Sequence, residues 1–234
     1  MSSTNKRYKD LVSDVLMFGE RQEGRNGSQL IMPHASFTLD FRRDAHVISL
    51  RKMHTKGIRG EFKTLISKDE LTNVKQFEAN GCNYWKNWCD KDGSLTLDYY
   101  NQLHPQLEEV IEAIITTPES RRHVISLWDH DNVERGNLSL PCCWHGMTFS
   151  IIGDVLHMKW DQRSVDTMIG LPSDIYLAYL FMNHVSIATG YAIGSCLFSL
   201  SNVHIYDEHI EGAEELLLRT SADAELPLIF ELKS

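Results

Sequence analysis

The chain has 234 residues, 42% of them hydrophobic and 24% charged, with a formal net charge of -9. That length can bury a sizeable core, and the acidic balance argues against long-range attraction to a nucleic acid polymer. A phosphorylated small molecule is still bindable where basic residues converge. No stretch approaches the roughly 20 apolar residues of a membrane span, and the opening MSSTNKRYKD lacks the apolar run of a signal peptide. A cytoplasmic protein without a membrane partner is expected. Five cysteines at irregular spacing, with no CxxC pair, read as reduced thiols and give no metal site. With no repeat and no Pro/Gly/Ser-rich linker, residues 1–234 are expected to form a single domain.

In chain order, Asn5 to Phe18 place Tyr8, Leu11, Val12, Val15 and Leu16 on one stripe at helical spacing, with Gly19 as a stop. Glu20 to Ser28 is polar and turn-rich. Leu30 to Phe41 reads as a strand. Pro105 to Ile115 reads as a helix ended by Thr116-Thr117-Pro118, because the residue before proline avoids the helical region. His123 to Trp128, Thr148 to Ile152, Val155 to Trp160 and Leu197 to Ile205 read as strands, with Gly153-Asp154 a hairpin turn. Ile175 to Thr189 is an apolar helix. No GxGxxG or GxxxxGK[ST] motif opens a helix, so a Rossmann or P-loop domain is not supported.

Four blocks carry chemistry: Pro141-Cys142-Cys143, Gln162-Arg163-Ser164-Val165-Asp166, Gly170-Leu171-Pro172-Ser173-Asp174-Ile175 and His204-Ile205-Tyr206. No one of them is specific. As an ordered set at this spacing they resemble the central signature of thymidylate synthases. Arg25-Asn26-Gly27, Gly60-Glu61-Phe62, Trp85 with Trp88, Tyr99 and Ser120-Arg121-Arg122 fall where that family has corresponding pieces. The resemblance covers nearly the whole chain and is densest from Pro118 to His209. It implies an α/β fold, a large mixed sheet flanked by helices, dimerised through sheet faces. It also implies a pyrimidine deoxynucleoside monophosphate as substrate and 5,10-methylenetetrahydrofolate as co-substrate.

The chemistry explains the residue types. C5 of a pyrimidine is too weak a nucleophile until a thiolate adds to C6, which splits one hard step into easier ones. Cys143 lies 20 residues before Arg163, the family's gapless spacing, whereas Cys142 follows the proline directly as the family's nucleophile does. The spacing favours Cys143. The resemblance makes Arg25, Arg121, Arg122 and Arg163 a phosphate site, with Arg121 and Arg122 supplied by the partner of a homodimer. Guanidinium forks suit phosphate oxygens, and Ser164 adds a hydroxyl. Glu61 is the implied general acid/base. His204 and Tyr206 hold the sugar, while Asp166, Gly170 and Trp85 border the folate. Singly, each of these residues has a plainer reading as surface, core or cap.

Asp174 departs from the family, which has an asparagine there to read uracil. An ionised carboxylate only accepts, so it suits the N4 amino group of cytosine and not O4 of uracil. Deoxycytidylate hydroxymethylases of the superfamily carry an aspartate at this place, which moves the expected substrate to dCMP. Beyond Leu226 the sequence lacks much of the family's closing tail, and a wetter site would favour a 5-hydroxymethyl product. The alternatives are a dCMP methyltransferase, a CMP hydroxymethylase and thymidylate synthase itself. Hydroxymethylases of this kind serve DNA viruses, so a bacteriophage source is expected. A different class of reading is a binding module that has lost activity.

Overall fold

The computed structural model describes residues 2–24 and 26–232, the last by its backbone alone. Helix α1 (Ser3–Phe18) leads into strands β1 (Glu20–Gly24) and β2 (Gly27–Asp40). Helices α2 (Thr55–Leu65) and α3 (Val74–Ala79), a 3-10 turn at Tyr84–Trp88, α4 (Asp98–Asn101) and α5 (Leu103–Thr116) follow. The remainder runs β3 (Val124–Ser126), α6 (His130–Glu134), β4 (Trp144–Ile152), β5 (Val155–Gln162), β6 (Val165–Asp166), α7 (Gly170–Thr189), β7 (Ala192–Tyr206) and α8 (Ile210–Leu218). The strands make one mixed sheet in the order β1-β2-β7-β5-β4-β3, with β6 parallel to β7. This is the expected α/β architecture, a large mixed sheet flanked by helices. Among the described residues no helix is long and apolar enough to cross a membrane.

The chain folds as two compact units. The first comprises Met1–Met53, Asp161–Tyr179 and Ser195–Ser234, the second His54–Trp160 and Leu180–Gly194. In the first, α1 buries Tyr8, Leu11, Val12 and Val15, the stripe the sequence spells out, against β2 and α8. Ser2 caps the helix by accepting from the Asn5 N–H at 3.3 Å. Gly19 ends it, though not through a left-handed turn: its φ is -66°. An added Cβ there would lie 2.4 Å from the Val15 carbonyl oxygen, so the position demands the absence of a side chain. The polar stretch after it is not a loop, as its composition suggested, but strand β1, exposed at every residue and paired antiparallel to β2. A strand held only by its ladder leaves no alternating burial for a sequence to display.

Two residues shape the β2–β7 pairing. The ladder runs through Met32↔Val203 and resumes at His34↔Ser201. Pro33 has no N–H to donate, and across from it Asn202 takes a left-handed φ of 50°. This local break turns the Asn202 side chain to donate to the Arg163 carbonyl at 2.8 Å.

In the second unit, α5 packs on β3, and β3 pairs antiparallel to β4. The β4–β5 hairpin turns on Gly153 and Asp154, both at positive φ (56° and 60°), as a two-residue turn requires. Its core is aromatic: Trp144 lies 4.7 Å from Trp160 and 5.6 Å from Phe181 between ring centroids. Helix α7 starts earlier than its apolar run, at Gly170, so Gly170-Leu171-Pro172 is the first helical turn and not a separate turn. Proline is tolerated there because first-turn N–H groups have no partner within the helix.

Candidate active site

The first unit gathers four of the expected substrate-binding residues around one open cavity of about 300 Å³. Arg163, Ser164, His204 and Tyr206 line it, with Asn26 and Asn202 beside them. Strand register accounts for the grouping: His204 and Tyr206 alternate along β7, and β6 places Asp166 opposite His204. His204 is buried, and its Nδ1 lies 2.8 Å from the Asn202 carbonyl oxygen. Its ring stands edge-on to Tyr206 at 5.0 Å, and the Tyr206 hydroxyl accepts from Asn26 Nδ2 at 3.3 Å. Arg25, an expected phosphate ligand, lies outside the described residues.

The turn after β6 is braced from several sides. Asp166 Oδ1 accepts from the N–H groups of Met168 at 2.9 Å and Ile169 at 3.1 Å. Tyr8 donates to the Thr167 carbonyl at 2.9 Å, and the buried Arg51 donates to that of Met168. Asp166 is thereby held in place by the turn that follows it. Gly170 lies between the two aspartates: a Cβ on it would meet Asp174 Oδ2 at 3.6 Å and Asp166 Cβ at 4.0 Å. Asp174 is half-buried on α7, and its Oδ2 accepts from Gln162 Nε2 at 2.7 Å. Gln162 itself is only 2% exposed. Its place in the Gln-Arg-Ser block was visible in the sequence, but its partner was not.

The second unit holds the expected nucleophile and general acid/base. The paired cysteines differ in environment: Cys142 is buried with its Sγ 4.0 Å from the Leu127 carbonyl oxygen, whereas Cys143 is half-buried. Both precede β4, whose first residue, Trp144, is buried like Cys142. Glu61, on α2, is buried, and burial raises its carboxyl above the usual range. Trp85 Nε1 donates to Glu61 Oε1 at 2.9 Å, and the Tyr84 hydroxyl donates to Oε2. The Trp85 ring stacks on Phe77 at 4.9 Å with an interplanar angle of 12°. Tyr84 carried no signal in the sequence, where it is one aromatic among several. Arg121 and Arg122 are exposed at the turn before β3.

A mixed-sheet α/β fold with a half-buried thiol, a buried carboxyl and a polar cavity lined by arginine, serine, histidine and tyrosine carries groups suited to small-molecule chemistry. The family is specific: the protein-family model for thymidylate synthase matches residues 6–233, and the chain belongs to the thymidylate synthase family. It is accordingly a folate-dependent transferase that adds a one-carbon unit to C5 of a pyrimidine nucleotide, with methylenetetrahydrofolate as co-substrate.

Proposed function

We propose that the nucleotide is dCMP and the product 5-hydroxymethyl-dCMP. The observation that supports this reading is Asp174, whose carboxylate accepts from Gln162 Nε2 at 2.7 Å. An ionised carboxylate can only accept. Cytosine offers it the N4 amino group as a donor, and uracil would set the acceptor O4 against an acceptor.

In this reading Cys143 is the nucleophile, and its greater exposure than Cys142 favours it. The Cys143 thiolate adds to C6 of the base, and the electron pair released at C5 takes the one-carbon unit. Glu61 moves a proton at the exocyclic group through water. Loss of the C5 proton, with the bond from the one-carbon unit to the folate nitrogen breaking and tetrahydrofolate leaving, gives an exocyclic methylene; water adds its oxygen to that carbon and gives up a proton, and the electron pair returned to the ring restores the C5–C6 double bond as the thiolate departs from C6. Arg163 and Ser164, with Arg25 and the partner subunit's copies of Arg121 and Arg122, hold the phosphate of a homodimer's substrate. His204 and Tyr206 bond the sugar hydroxyl. Asp166, Gly170 and Trp85 border the folate.

The test is one reaction containing methylenetetrahydrofolate and equal dCMP, dUMP and CMP, with nucleotide products identified by mass. A hydroxymethyl group on dCMP alone is expected. A methyl group on dCMP would keep the base assignment and overturn the product. Thymidylate would overturn the role of Asp174, and modified CMP the sugar assignment.

A further inference from the structure

The Glu61 carboxyl has an unusual partner. It lies 8% exposed on α2, and each of its oxygens accepts one hydrogen bond, Oε1 from the Trp85 indole and Oε2 from the Tyr84 hydroxyl. The other titratable groups that face it are the Cys82 thiol and the Tyr100 phenol. Burial pushes Cys82 up to about 12 and raises Tyr84 and Tyr100 as well, so all three are neutral near pH 7 and none supplies a countercharge. The two donors are therefore what offsets the burial of a negative charge at Glu61. They differ in kind. The Trp85 ring is sealed at 5% exposure among Phe77, Trp88 and Tyr100. Tyr84 is 38% exposed, and an added Cβ on Gly57 would lie 3.4 Å from its ring.

We propose that Tyr84 is the positioning residue for the general acid/base, aiming the Glu61 carboxyl and stabilising its charged form through the Oε2 hydrogen bond. This rests on the reading of Glu61 given above. A phenol suits this role because it donates strongly to a carboxylate, and desolvation of its oxygen beside the Glu61 charge keeps its own proton in place. Trp85 alone leaves Oε2 without that donor.

The test compares Tyr84→Phe, which keeps the ring, with Glu61→Gln and the parent enzyme. For Tyr84→Phe, kcat is expected to fall about tenfold, short of the 10²–10⁴-fold that general acid–base catalysis contributes, with the KM for dCMP unchanged. A hydrogen bond to the charged form lowers a carboxyl's pKa, so its loss moves the limb of the pH–rate profile that reports Glu61 to higher pH. Infrared titration of the free protein, with the Glu61 band assigned by difference from Glu61→Gln, should show the same upward move without any substrate. Full turnover by Glu61→Gln would overturn the reading of Glu61 itself. An inactive Glu61→Gln beside a Tyr84→Phe enzyme with the parental pH profile and carboxylate band would overturn the role of Tyr84. A Tyr84→Phe protein with altered kcat but an unmoved band would also overturn it, since a merely structural contact acts that way.

Discussion

The cavity beside Tyr206 and the surroundings of Glu61 hold their polar groups in opposite ways. In the first, side chains are set by strand register and backbone contacts and stay half open to water, as with Arg163, Ser164 and Tyr206. In the second, a carboxyl is sunk among aromatic rings and kept by two donors. Open, pre-aimed groups suit recognition, because they exchange water for ligand at little cost. A buried carboxyl with a raised pKa suits proton transfer, because its two protonation states lie closer in energy near neutral pH. The two carboxyls are held differently: the half-buried Asp174 accepts from the Gln162 amide, and the buried Glu61 from an indole and a phenol.

The largest expected effect breaks the chemistry outright. Cys143→Ser should lower turnover on the order of 10⁴-fold or more, while Cys142→Ser stays within a few-fold of the parent in a steady-state assay. The reverse result would transfer the nucleophile to the buried thiol.

Next comes Glu61→Gln, with turnover down roughly 10²–10⁴-fold and a gain in stability that depends on pH. Burial raises the folded carboxyl above its unfolded value, so its favourable contribution is complete below the unfolded pKa and lost as pH rises through the folded one. At neutral pH the charge is a burden that glutamine does not carry. Thermal melts should therefore show the variant more stable than the parent near pH 7.5, with the gap closing below about pH 4.

Asp174→Asn should shift the ratio of kcat/KM for dCMP over dUMP on the order of 10²-fold toward dUMP, which competition assays would measure. An unchanged preference would separate Asp174 from base reading. Gly60→Ala tests how tightly α2 is seated: an added Cβ would lie 2.4 Å from the Asn80 carbonyl oxygen. Denaturant unfolding should register a loss of about 1–3 kcal/mol. The smallest effect is expected in the open cavity, where Tyr206→Phe removes one exposed hydrogen bond and should raise the KM for nucleotide about 2–10-fold.

Much of this was legible in the amino-acid sequence because it is local. The stripe of α1, the Gly153-Asp154 hairpin and the apolar body of α7 follow from periodicity and turn chemistry within a few residues. The ordered blocks around Cys143, Arg163, Asp174 and His204 pointed to the family, since their spacing along the chain is itself the signal. What the tertiary structure decided are the partnerships across the chain. Gln162 reaches Asp174 over 12 residues and Tyr84 reaches Glu61 over 23, and neither interval is a helical or strand period. The burial that separates Cys142 from Cys143 is a matter of their surroundings in the fold, and β1 exists only through its ladder to β2. Periodicity records which face of an element is buried. It does not record which side chain meets it from another element, and those meetings decide how each carboxyl is held, Asp174 by Gln162 and Glu61 by Tyr84 and Trp85.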